Sequence, residues 1–308
     1  ITFFAGDGPA SLEVAVERHG PAPYEVRLYC ALGDLYVEKE RFQDGAEAYR
    51  AFAQRQPLDA EAPLLIVRAT DAYAKGGFTA LVLDGKRQLV EQYGPQSEFW
   101  RAHAPAIDPR VSLAVQGDLL VLAQHHHALA QKGSVTDRDA AVRWYRDYLD
   151  GFDSSPQAPA TRLLLADLLF EGARYEEAAV EYERIADSAD ESAEIQRSAL
   201  WQAAELYAAA NQHDGQVRTY TALVTRFPAP ASEAVEARLK LADLAAADGD
   251  WPARQRWLEA IVKVDADMGA ERSDRSRFLA ASSAIELARP LRDAFNAVAP
   301  TAPLDRSL

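Results

Sequence analysis

The chain is predicted to be all-α, an array of helix-turn-helix repeats. Three observations carry this. Apolar residues recur at three and four positions along most of the 308 residues, the spacing of a helix face rather than of a strand. Alanine, the best helix former, is abundant. One pattern also returns in register. A small residue is followed sixteen positions later by a tyrosine, at Gly33 and Tyr49, Ala166 and Tyr182, and Ala204 and Tyr220.

The elements follow in order. Residues 9–20 read as a short helix between Gly/Pro signals. This is expected to be the second half of a repeat whose first half is missing. The chain begins at Ile1 rather than Met, which predicts a fragment or a processed form. Residues 24–57 form the clearest repeat. Leu32, Gly33 and Tyr36 share one helical face, a break follows at 39–41, and Phe42, Gly45, Tyr49 and Phe52 share a second face that Pro57 ends. Gly33 and Gly45 each cost a helix about 1 kcal/mol relative to Ala, so close approach of the two helices is the expected compensation.

Further repeats are read at 61–95, 111–156, 159–188, 195–228 and 232–265, with the small residue at Thr70, Ala166, Ala204 and Ala242 where it is clear. Residues 94–110 interrupt the array with three prolines and the pair Phe99–Trp100. Repeat insertions often map to a binding face, which makes Phe99 and Trp100 contact candidates. An aromatic plug over a degenerate repeat is the plainer reading. Residues 270–296 read as C-terminal helices, a pair that Pro290 kinks or divides. The tail at 297–308 has two prolines and no periodicity, and is expected to be loose.

The Leu-Gly-x-x-Tyr, small-residue, Tyr and Pro pattern resembles the tetratricopeptide repeat, a helix-turn-helix unit of about 34 residues. The resemblance covers roughly residues 24–265, with longer connections. It implies one right-handed α-solenoid over 1–308, in which each unit contacts only its neighbours. The connections "FDSSPQAPATRLLLADLLFEGARYEEA" and "FPAPASEAVEARLKLADLAAADGDW" are similar in style to bacterial cell-envelope repeat proteins. These are the outer-membrane assembly lipoproteins, the Tol-Pal coordinator and gliding-associated proteins. This implies a periplasmic or outer-membrane-associated setting, with a cytoplasmic one as the alternative.

Composition narrows the function. Lys plus Arg number 33 against 47 Asp plus Glu, a net charge of −14. Such a surface repels phosphate backbones and anionic headgroups, so nucleic acid is not an expected partner and a basic protein is. The single cysteine, Cys30, allows no internal disulfide, which fits either the cytosol or a disulfide-free periplasmic protein. No apolar run reaches the roughly 18 residues of a membrane span, and a lipid anchor upstream remains compatible with the sequence.

No chemistry-bearing motif stands out. His125, His126 and His127 project about 100° apart on a helix, so no more than two face one ion, and they read as packing and surface positions. His19, His103 and His213 are isolated. G-x-G-x-x-G, G-x-x-x-x-G-K and G-x-S-x-G are all absent. Cys30 reads as structural or groove-lining. No catalytic residue, metal or cofactor is predicted.

The resemblance implies that first helices line a concave groove. The residue after the small one is Asp34, Asp71, Asp167, Glu205 and Asp243, with His127 in the third repeat if Gly133 marks its turn. That predicts an acidic column suited to a Lys/Arg-rich segment, although this position is often polar in such repeats anyway. Arg68 and Trp201 are further contact candidates. A clamp for a C-terminal carboxylate is not expected, because the matching positions are Cys30, Asp34, Arg68, Leu120 and Gln124, of which only Arg68 is basic. The leading expectation is a non-catalytic scaffold holding a protein or peptide in the groove within an envelope complex. The alternative is a sensor domain that binds a small ligand or peptide and controls an effector elsewhere. Self-association through exposed terminal repeats is a third.

Overall fold

The computed structural model describes residues 8–19 and 23–298. It is all-helical, with no strand among the described residues. A short helix α1 (Pro9–His19) leads into hairpins α2–α3 (Glu25–Glu38, Phe42–Arg55) and α4–α5 (Ala62–Lys75, Thr79–Tyr93). The short α6 (Glu98–His103) precedes the long hairpin α7–α8 (Pro109–Ala130, Val135–Phe152). Three more hairpins follow: α9–α10 (Ala158–Glu171, Tyr175–Asp187), α11–α12 (Ala193–Ala209, His213–Arg226) and α13–α14 (Ala231–Ala247, Trp251–Asp267). The last helix is α15 (Asp274–Ala297).

The same turn closes the hairpins. The second residue past the first helix is left-handed: Glu40 (φ 57°), Gly77 (75°), Ala173 (56°), Asn211 (56°) and Gly249 (72°). The next residue's N–H reaches back to a carbonyl in the last helical turn. Arg41 donates to Tyr36 at 2.8 Å, Phe78 to Tyr73 at 2.9 Å, Arg174 to Leu169 at 2.9 Å, Gln212 to Tyr207 at 2.8 Å and Asp250 to Ala245 at 2.9 Å. These are Schellman closures, which satisfy carbonyls that a helix end leaves unpaired. The third hairpin closes alike, Ser134 to Leu129 at 3.3 Å with Gly133 at φ 99°. Its turn is one residue longer, running from Ala130 to Val135 where the first runs from Glu38 to Phe42.

Glycine sets the approach of paired helices. A Cβ on Gly45 would lie 2.8 Å from the Val37 side chain and 3.1 Å from the Gly33 carbonyl, so two backbones meet there. At Gly33 a ring takes up the space, since an added Cβ would lie 2.4 Å from Tyr49. The core is accordingly rich in tyrosine. Tyr29, Tyr36, Tyr93, Tyr145, Tyr148 and Tyr220 are among the largest fully buried side chains. Each contributes about 1.5–3 kcal/mol by burial.

The sequence reading takes 1–308 as one array, whereas contacts resolve two compact units, divided between Leu168 and Leu169 inside α9. A stack held only by neighbour contacts has no central core to bind it into one body. In the first unit α1 packs on α2 and α3, and the hairpins then follow one another, α3 on α4 and α5 on α7. In the second, α10 packs on α11, α12 on α13, and α15 on α14 and α13.

One expectation is corrected at the C-terminal end, and a second falls largely outside the described residues. The segment read as a helix pair is one helix, since α15 runs through Pro290 unbroken. Residues 288–298 are exposed, so water can take the carbonyl whose donor the proline removes. The tail read as loose begins inside α15 at Ala297, and from residue 299 it lies outside the described residues.

The insertion is a plug. Phe99 is 3% exposed, edge-on to Tyr93 at 5.1 Å and stacked on His103 at 4.2 Å. Trp100 sits edge-on to Phe152 at 5.9 Å. Ser97 caps α6 by accepting from the Trp100 N–H at 3.0 Å.

Candidate functional site

The exposed faces of the first helices are the candidate surface. In the first unit α2 and α4 bound an open cleft of about 290 Å³, lined by Asp34, Glu38, Tyr49, Arg68, Asp71 and Lys75 among others. The Tyr49 hydroxyl donates to Asp34 Oδ1 at 2.6 Å. The Arg68 guanidinium lies 3.2 Å from the same carboxylate and 5.2 Å above the Tyr49 ring. Burial, and then the bond to Asp34, pushes the Tyr49 phenol well above its usual range. Burial likewise raises the Cys30 thiol, with Arg68 beside it opposing that shift.

The second unit repeats the arrangement with other residues. The Tyr220 hydroxyl donates to Glu205 at 2.5 Å, and Lys240 Nζ reaches Glu205 at 3.2 Å. The Glu205 carboxyl is held below its usual range, first by the Tyr220 hydroxyl and then by Lys240. In both cases the tyrosine lies fifteen positions after the acid. The cation comes from the next first helix, 34 or 35 positions on. Asp34 and Glu205 therefore sit in closed acid–phenol–cation triads and are not bare negative charges. The spacing that would have shown this, an acid followed by a tyrosine at fifteen and a cation at about 35, is present in the sequence.

The other column members differ. Asp71 and Asp243 are exposed and have no hydrogen bond or ion pair among the described residues. Asp167 is exposed on α9 and is not without partners. His127 does not join the column. It is 9% exposed, and its Nδ1 pairs with the Tyr145 hydroxyl at 3.0 Å.

Trp201 is half-buried on α11, edge-on to Tyr220 at 5.5 Å. It lines an open cleft of about 490 Å³ between α11 and α13, together with Glu194, Arg197, Glu233 and Glu236. Arg197 pairs with Glu233 at 2.7 Å, and Arg275 of α15 pairs with Glu236 at 2.9 Å. Glu194 has no partner among the described residues. Phe99, being buried, offers no contact surface in this conformation.

The histidine run is dispersed by its own bonds, His126 to Asp137 at 2.7 Å and His127 to Tyr145. Among the described residues no three His, Cys, Asp or Glu side chains converge to hold a metal. Nor is any helix among them long and apolar enough to cross a membrane.

No family model matches the chain, and no curated protein matches its sequence. Among solved structures it is similar to BtubC (BKLC) from P. vanneervenii, with 15% identity over 77% of this chain and 92% of that one and a TM-score of 0.30. It is also similar to a tetratricopeptide repeat protein from Parabacteroides merdae, with 14% identity over 92% of this chain and 97% of that one and a TM-score of 0.29. Both scores are low, and the fold stands on the hairpins themselves.

Proposed function

We propose that the chain is a non-catalytic scaffold that holds a protein or peptide partner against its first-helix faces, and that the partner presents a basic segment there. One observation carries this reading. The α11–α13 cleft is open, has the half-buried Trp201 in its lining, and leaves Glu194 in excess over the pairs Arg197–Glu233 and Arg275–Glu236. Half-buried tryptophan is a frequent anchor at interfaces, and a local acidic excess selects and steers a cationic segment. The envelope setting belongs to the same proposal and rests on the style of the Phe/Pro-rich connections.

The test is affinity capture from native lysate at low and moderate salt. The parent is compared with Glu194→Lys/Glu236→Lys, two exposed or half-exposed positions at the cleft. A partner retained by the parent and lost by the folded variant supports the reading. The same partner held equally by both, at every salt concentration, removes this cleft as the binding surface.

A further inference from the structure

The last helix, α15, is apolar on two faces. On one, Ser276, Leu279, Ala280 and Ser283 are buried, and Leu287 packs half-buried against the cluster of α13 and α14. With Phe278 taken as heptad position a, these residues fall at b, c and f.

The other face follows the heptad seam. Phe278 and Ile285 stand at a, and Ala281, Ala288 and Phe295 stand at d. Leu291 lies beside them at g, and Val298 is the C-cap. The five large side chains of this face are 62–78% exposed, and nothing among the described residues covers them. Pro290 falls at f, away from the seam. The helix also outruns its neighbour. α13 reaches its left-handed turn at Gly249, seven positions after the buried Ala242. α15 continues to Ala297, seventeen positions after the matching Ala280.

Three observations select a second copy of α15 as the cover. The seam is self-complementary. Laid antiparallel, Ile285 meets Ala288 of the second copy, Phe278 meets Phe295, and Arg292 meets Ala281. Leu291 then meets Ala284 beside the seam. A parallel pair would instead set Arg292 against Arg292 and alanine against alanine, which buries charge and leaves gaps. The area suffices. Five side chains of about 100 Å² each give about 1,000 Å² over the pair, the size that a specific interface has to reach. By contrast α1 exposes Val14 as its one large apolar side chain among the described residues. The charge also permits it. The chain carries −14, whereas α15 sets Arg275, Arg277, Arg289 and Arg292 against Asp274, Glu286 and Asp293. Two copies therefore meet there without the repulsion of the acidic surface elsewhere.

We propose that α15 is a dimerisation helix, through which two copies of the chain pair antiparallel along Phe278, Ala281, Ile285, Ala288 and Phe295. Arg292 lays its aliphatic stem over Ala281 of the second copy and keeps its guanidinium at the rim. Such an interface is isologous, so it closes at two copies.

The test is sedimentation of the full chain over a wide concentration range at moderate salt, in a Cys30→Ser background. The parent is expected to pass from monomer to dimer and no further. Ile285→Glu/Phe295→Glu is expected to raise the dissociation constant at least about a hundredfold. Its circular dichroism and urea midpoint should not change, because both residues are exposed. Leu113→Glu, on α7 at a leucine 70% exposed, is expected to leave the dimer intact. Orientation is read by oxidative cross-linking of Ala281→Cys and Arg292→Cys. An antiparallel seam links the two variants to each other when mixed and neither to itself, since like positions lie about 16 Å apart along it. A parent that stays monomeric at every concentration, its seam covered by other residues or left to another protein, overturns the inference. So do assembly beyond the dimer, a Leu113→Glu as damaging as the double variant, self-linking of either cysteine variant, and a mixture that gives no linked product.

Discussion

Hairpins α2–α3 and α4–α5 are neighbours with the same helix lengths to within a residue and the same Schellman turn, yet they relieve close packing with different residues. In the first, glycine stands on both helices: Gly45 brings the second backbone onto Val37 and the Gly33 carbonyl, and Tyr49 fills the space beside Gly33. In the second the glycine is on the second helix, where a Cβ on Gly85 would lie 2.3 Å from the Thr70 hydroxyl. Both hairpins place a glycine of the second helix against the first, and only the first hairpin adds one on its first helix, beside a tyrosine. The difference alters the surface. Tyr49 reaches Asp34 and Arg68 and closes a triad, whereas the second hairpin puts Lys86 at that offset and leaves Asp71 open.

The contrast can be broken most forcefully at the glycines. Gly33→Leu should destabilise the fold by about 3 kcal/mol through overpacking against a buried ring, read as a lower urea midpoint. An unchanged midpoint would mean that Tyr49 can vacate the space. Gly85→Ala should cost about 1–2 kcal/mol, and adding Thr70→Ala should recover part of it, because the clash is with the Thr70 hydroxyl. Strict additivity of the two changes would disprove that contact.

The acids come next. Asp34→Ala strands the Tyr49 hydroxyl and should cost about 1 kcal/mol, while Asp71→Ala should change stability by less than about 0.5 kcal/mol. Equal effects would erase the distinction between the paired and the unpaired acid. The turns give a smaller test of the same pair. Glu40 and Gly77 hold equivalent left-handed positions. Glu40→Gly should stabilise by about 0.5–1 kcal/mol and Gly77→Ala should destabilise by a similar amount, both seen in thermal melts.

The smallest effect is on pH dependence. The folded-state carboxyl of Glu205 is depressed, so its contribution is fully present above the unfolded glutamate value of about 4.3. It is lost as pH falls through the folded value. Glu205→Gln should therefore melt below the parent at neutral pH and converge with it in acid. A gap that persists in acid would assign the effect to packing rather than to charge.

Much of this was legible from residue spacing. The 3.6-residue period of Leu32, Gly33 and Tyr36, and of Phe42, Gly45, Tyr49 and Phe52, placed both helices of the first hairpin. Pro57 and the Phe/Pro-rich connections marked the ends. Pro290 misled, because α15 continues through it where the helix is exposed and water can take the freed carbonyl. His127 stands at the same offset from its turn as the acids do, and its burial against Tyr145 was not visible in that spacing.

The sequence by itself determined the helices, their pairing and the recurrence of small residue and tyrosine, because these depend on periodicity and on steric limits within one hairpin. Only the tertiary structure decided which acids are occupied, that Phe99 is buried against Tyr93, and that the contacts fall into two units. The first of these depends on side chains 30 or more positions apart meeting across repeats, and the burial of Phe99 on how a short helix folds back onto α5. Local propensity carries no information about such a meeting.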